Sequence, residues 1–161
     1  MTQDVKSLPK QKPGIGVAIV VWRDDSRKEI LLGLGHSAEN RTAIYAVPGG
    51  HWESGETLVE AVCRETAEEA GIMVRGVRLL SLYEFFNPEK NKSYITVGFE
   101  GILDSGVPKV MEVNNKENWG WYLPNEAIKL PLFVPDKALI ERALTGVLFE
   151  SPGSDPICLP R

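Results

Sequence analysis

The chain has 161 residues, 43% hydrophobic and 25% charged, with a formal net charge of −4, which suits one soluble domain built around a single core. That acidic balance, without a basic patch interleaved with aromatics, excludes a protein that grips nucleic-acid duplex by charge. Cys63 and Cys158 are too few for a disulfide framework and fit a reducing cytoplasm; MTQDVKSLPKQKPG lacks the apolar stretch of a signal peptide, and no apolar run approaches the ~20 residues of a membrane span.

In chain order, residues 1–13 are polar, carry Pro9 and Pro13, and read as a flexible lead. Ile15 to Trp22 and Glu29 to Leu34 are short apolar, β-rich runs joined by the polar turn RDDSRK, a hairpin pattern. Gly35 to Thr42 reads as a loop. Ala43 to Val47 makes a brief strand that delivers the turn Pro48-Gly49-Gly50, where two glycines let the backbone approach a ligand closely.

A helix follows. Thr57 with Glu60 three residues later is a capping-box start and Gly71 a natural stop, so about 13 helical residues are expected between them. On it Glu65 stands three residues before Glu68 and four before Glu69, which puts three carboxylates on one face. Leu58, Val62, Thr66 and Ala70 form the neighbouring stripe that packs on a sheet. Like charges at this spacing destabilise an isolated helix by a few tenths of a kcal/mol per pair, roughly, unless cations neutralise them. Oxygen-only ligands favour Mg²⁺ or Mn²⁺ over zinc, which would recruit His or Cys. The competing reading is a solvated charged face.

Val77 to Phe86, Tyr94 to Leu103 and Asn118 to Leu123 have strand character. A last helix is expected from Asp136 to about Leu148, after Pro135, and the proline-bearing tail 151–161 is expected to be loosely ordered. This order of elements predicts an α/β fold, a mixed β-sheet flanked by helices, with one domain over 14–150.

Written as a pattern, Gly50 to Ile72 reads G-x5-E-x7-R-E-U-x-E-E-x-G-U, with U a bulky apolar residue. It resembles the signature of the Nudix hydrolases, with Thr66 where a larger aliphatic residue is usual. PGGHWESGE, ENWGWY (Glu117 to Tyr122) and PLFVP (Pro131 to Pro135) are similar to the small nucleoside triphosphate pyrophosphatases of the MutT-homologue branch, extending the likeness over roughly residues 13–145. The resemblance implies an α-β-α sandwich with a loop-helix-loop metal site. It implies Glu65 and Glu69 as metal ligands, Glu68 assisting and the Gly50 carbonyl contributing, with Arg64 orienting a neighbouring carboxylate. Water attacks a phosphorus of a nucleoside di- or triphosphate, and Glu68 or Glu69 takes its proton. Glu56 is expected to hold the loop to the helix through Arg64. Glu112 and Glu117 are candidates for a further ligand or for exposed structural residues.

Substrate choice leaves fewer marks. Trp52, Tyr94, Trp119, Trp121 and Phe133 are candidate walls for a base, with core packing as the competing reading. Phe133 is favoured because the PLF segment lines the base site in the resembling branch. There a Trp commonly follows, where this chain has Val134, and a basic residue commonly follows the LLG, where it has Leu34-Gly35-His36. The phosphate clamp is therefore assigned to His36 or Arg41. His51 reads as a turn residue close to the phosphate site. Three functions stand at this point. They are a Mg²⁺-dependent triphosphate pyrophosphohydrolase, a hydrolase of diphosphate-linked nucleotides such as ADP-ribose or a diphosphate sugar, and a non-catalytic nucleotide-binding module. A homodimer is implied by the resembling branch alone.

Overall fold

Alternation along the first strand decides the layering. The computed structural model describes residues 12–36, 42–87, 91–111 and 116–146. Strand β1 (Gly14–Trp22) sends Ala18, Val20 and Trp22 to one face, where they pack with Ile30, Leu32, Leu139 and Ile140. Val17, Ile19 and Val21 point to the other face and pack with Ala61, Val62, Ala70 and Phe99. A period of two with both parities apolar is what a strand covered on both sides requires. The covers are α1 (Leu58–Ala70) on one face and α3 (Val134–Thr145) on the other. The result is the expected α-β-α sandwich.

Seven strands among the described residues form one mixed sheet: β1, β2 (Ile30–His36), β3 (Ala43–Ala46), β4 (Gly49–His51), β5 (Met73–Asn87), β6 (Lys92–Ser105) and β7 (Asn118–Tyr122). β1 and β6 run parallel from Gly14↔Tyr94 to Trp22↔Ile102, and the remaining pairs are antiparallel. A short helix α2 (Pro124–Ala127) precedes α3. Among the described residues no helix is long and apolar enough to cross a membrane.

The β1–β2 hairpin forms at its turn but does not persist. Trp22↔Ile30 is its only strand pair, backed by Arg23 N–H donating to the Glu29 carbonyl at 2.9 Å. Beyond that point β1 turns to β4 while β2 pairs with β3 and β7, so the sheet splits. Two expectations change here. Gly49-Gly50 is a short strand as well as a turn, since Gly49 lies so close to β1 that a Cβ there would sit 2.4 Å from the Val17 carbonyl oxygen. Gly35 and His36 belong to β2 rather than to a loop, held by Ile44 and Ala43 of β3. The last helix starts two residues earlier than expected, with Pro135 in its first turn and Gly146 (φ 72°) as its left-handed stop. Residues 1–11 and 147–161, and with them most of the expected lead and tail, lie outside the described residues.

Candidate active site

Helix α1 has the boundaries its caps dictate. The Thr57 hydroxyl accepts from the Glu60 N–H, the Glu60 carboxylate accepts from the Thr57 N–H, and Gly71 closes the helix at φ 67°. Val62, Thr66 and Ala70 are buried and Leu58 is half-buried. Thr66 tolerates its site because its hydroxyl donates to the Val62 carbonyl at 2.6 Å.

The three carboxylates do not share one environment. Glu69 is turned inward, only 8% exposed, and its Oε2 accepts the Gly49 N–H at 3.0 Å. Glu65 is half-buried against the Gly50 backbone, while Glu68 faces solvent. Among the described residues no three His, Cys, Asp or Glu side chains are gathered closely enough to hold an ion. Gly49 engages Glu69, and the other two carboxylates are held by Arg64. Its Nε and Nη2 grip Glu56 at 3.0 and 2.8 Å, and its Nη1 donates to both Glu65 and Glu68 at 3.0 Å. Nη2 also reaches the His51 carbonyl at 3.1 Å. One guanidinium thus pairs with three carboxylates, leaving the cluster negative, and ties the loop to the helix. Glu56, with the other carboxylates adding, pushes the Arg64 pKa further up, and Arg64 with the Glu53 N–H holds the Glu56 carboxyl below its usual range.

The residues present suit a hard divalent cation. The donors are carboxylate and carbonyl oxygens without sulfur or imidazole. A Cβ at Gly50 would lie 2.4 Å from the Glu65 carboxylate, so Glu65 and the Gly50 main chain are held together only because position 50 has no side chain.

This motif borders a cavity of about 320 Å³ lined by Gly49, Gly50 and His51 at one part and by Phe85, Tyr94 and Phe133 at another. Tyr94 and Phe85 stack at 5.2 Å between ring centres, and Phe133 meets Phe85 edge-on at 6.2 Å. The expected Tyr94 and Phe133 are therefore joined by Phe85, which the sequence reading missed. His36 is not among the cavity residues; its Nδ1 lies 3.2 Å from Glu117, which occupies that carboxylate as well. Arg41 and Glu112 lie outside the described residues. Trp52 donates to the Glu56 carbonyl at 2.9 Å, and Trp119 and Trp121 pack on the α1-side core, so none of the three lines the cavity. Lys116 does line it, as the one Lys or Arg among the described lining residues.

Asp136 is the other polar residue that sequence reasoning passed over. It lines the cavity, is 4% exposed, and accepts the Val47 N–H at 3.1 Å. Burial pushes its carboxyl up to about 7, against the pull of the Val47 N–H and Lys116 and with a push from Glu69. A raised carboxyl means that between about 3.8 and about 7 the folded protein keeps a proton that the unfolded chain has lost. Stability therefore falls as pH rises through that window, by on the order of 4 kcal/mol at most. Asp136→Asn keeps an acceptor for Val47 and removes the titration. Its melting temperature is expected to change less than wild type's from about pH 5 to about pH 8, and to exceed it at the upper end. Parallel pH profiles for the two proteins would contradict this.

Comparison with known proteins agrees with the geometry. A NUDIX domain profile matches residues 12–144. The chain is 32% identical over 147 residues to the 8-oxo-dGDP phosphatase NUDT18 of Mus musculus, covering 90% of this chain and 42% of that protein. It is 34% identical over 137 residues to the NAD-capped RNA hydrolase NudC of Photobacterium profundum, covering 84% of this chain and 45% of that one. The chain thus spans less than half the length of these relatives. Among solved structures, the MutT NUDIX hydrolase of Burkholderia pseudomallei superposes with a TM-score of 0.72 at 26% identity, covering 82% of this chain and 98% of that one.

Proposed function

The chain belongs to the Nudix family, and from that premise we propose that it is a Mg²⁺-dependent pyrophosphohydrolase, with Mn²⁺ able to substitute, that cleaves a nucleoside triphosphate or modified nucleotide to the monophosphate and pyrophosphate. The observation that carries the reading is the continuity of the Glu56–Arg64–Glu65–Glu68–Glu69 cluster with an aromatic-walled cavity, joined at Gly49-Gly50.

Glu65, Glu69 and the Gly50 carbonyl would hold the ion, with Glu68, paired with Arg64 in the structure, as the further carboxylate. Magnesium bound there supplies charge neutralisation at the phosphoryl oxygens and activation of the attacking water. Gly49 N–H aims the Glu69 carboxylate, and Arg64 keeps the 50–56 loop seated on α1. Each of the two carboxylates expected to take the proton from water has one oxygen engaged, Glu68 by Arg64 and Glu69 by Gly49; Glu68 is the better placed because it is half-exposed while Glu69 is buried. Tyr94, Phe85 and Phe133 wall the base, Asp136 meets its edge, and Lys116 meets the phosphates in place of His36. The cytoplasm is the proposed setting, where Cys63, free in the structure, stays reduced. Homodimeric assembly rests on the resemblance alone.

A second reading, cleavage of a diphosphate-linked nucleotide such as ADP-ribose or a diphosphate sugar, is favoured by one feature. Val134 is 65% exposed and outside the cavity lining, so the 131–135 segment contributes Phe133 as its single ring and the slot stays open on that side. The name of the NudC relative, an NAD-capped RNA hydrolase, points the same way.

A panel of nucleoside triphosphates, oxidised nucleotides, ADP-ribose and diphosphate sugars, with products identified, separates the readings. Pyrophosphate among the products is expected; two monophosphate-type products would transfer the assignment to the second reading. Binding without turnover of any member would leave a nucleotide-binding module.

A further inference from the structure

The last four carbonyls of an α-helix have no partner inside the helix. In α1 these belong to Ala67, Glu68, Glu69 and Ala70, and the chain spends unequal effort on them. Gly71 N–H closes on Ala67 and Lys109 N–H on Ala70, each at 3.0 Å. Among the described residues, the Glu69 carbonyl is approached by two donors from distant segments: the Trp119 indole N–H at 3.1 Å and the Met111 N–H at 3.3 Å. The Glu69 side chain is caught on its other end by Gly49 N–H.

Trp119 is itself firmly seated. It stands opposite Gly33 in the β2–β7 pair, and a Cβ at Gly33 would come within 2.9 Å of its ring, so the indole lies against bare backbone. The Lys116 ammonium sits over the ring at 5.9 Å. An indole N–H is a donor only and does not titrate near neutrality, so this hold on the helix is constant with pH.

We propose that Trp119 is a positioning residue for Glu69: it fixes the last turn of α1 from β7 while Gly49 of β4 fixes the carboxylate. The inference rests on the reading of Glu69 as a metal ligand. β4 hangs from β1 and β7 from β2, so the two arms of the split sheet meet on this one residue. With the indole donor removed, the Met111 N–H remains, the turn gains freedom, and the carboxylate loses its aim. Trp119 touches neither substrate nor ion in this account; it acts through Glu69.

The test compares Trp119→Phe, which keeps a ring and removes the donor, with Trp121→Phe, a second β7 indole, which instead stacks with Arg23 at 5.8 Å. Mn²⁺ binding is read by calorimetry or spin resonance, and amide exchange of the last turn of α1 is read on metal-free protein. Trp119→Phe is expected to weaken Mn²⁺ binding about 10-fold and to speed exchange in that turn, while Trp121→Phe does neither. Gly33→Ala, which pushes the indole aside without removing its N–H, is expected to weaken Mn²⁺ binding in the same direction. Wild-type Mn²⁺ affinity in Trp119→Phe, or equal losses in the two tryptophan variants, overturns the inference. If Glu69→Gln also binds Mn²⁺ like wild type, the ligand reading itself falls; if Glu69→Gln loses the ion while Trp119→Phe keeps it, only the role of Trp119 falls.

Discussion

Glu69→Gln is expected to cut turnover on the order of 10³-fold or more while the protein folds and melts much as before. Shape is conserved, and an amide oxygen still accepts the Gly49 N–H that the carboxylate accepts now. What disappears is the negative charge of the most buried carboxylate in the motif, the one an ion would neutralise. Because that charge also helps to raise Asp136, the variant's pH-stability window is expected to move down. Steady-state kinetics at saturating Mg²⁺, beside a melting curve, measures both halves. Turnover within a few-fold of wild type would remove Glu69 from the chemistry.

Gly50→Ala should separate position from charge. A Cβ there would lie 2.4 Å from the Glu65 carboxylate carbon and equally close to its oxygens. Something must move, and the end of a flexible glutamate is what can. The carboxylate shifts, its 3.0 Å bond to Arg64 is disturbed, and the backbone is spared. A displacement of about 1 Å at a catalytic group can cost ~10²-fold, so kcat is expected to fall by that order with a small change in melting temperature. Activity close to wild type would mean that the contact between Glu65 and the Gly50 backbone plays no part in catalysis.

Local rules made much of this legible from sequence, and long-range pairing hid the rest. Helix α1 was readable to the residue because Thr57, Glu60 and Gly71 act within a turn of its ends. The strands announced themselves by apolar runs. β4 did not, since two glycines carry no side-chain pattern and its partner β1 lies more than 30 residues back. Spacing placed Glu65, Glu68 and Glu69 close together but could not say that Glu69 turns inward to meet Gly49 and Glu68 turns out to meet Arg64. Spacing along the chain also could not show that His36 meets Glu117, which directly precedes the strand paired across β2. Asp136 was read only as a helix start. An acid in a first turn is ordinarily solvated, and only the contact with Val47, 89 residues away, reveals a buried carboxyl. Phe85 is visible in hindsight as one parity of β5, where Tyr83, Phe85 and Asn87 are half-buried between exposed neighbours.

These glutamates and the Gly50 carbonyl are proposed to form one divalent-cation site beside the cavity. Crystals grown with Mn²⁺ and a non-hydrolysable nucleotide test it through anomalous scattering. Manganese is expected on Glu65, Glu69 and the Gly50 carbonyl, with Glu68 drawn away from Arg64 and the base against the walls formed by Phe85, Tyr94 and Phe133. A nucleotide seated in the cavity with no manganese among these oxygens, and Arg64 still holding Glu65 and Glu68, would contradict it.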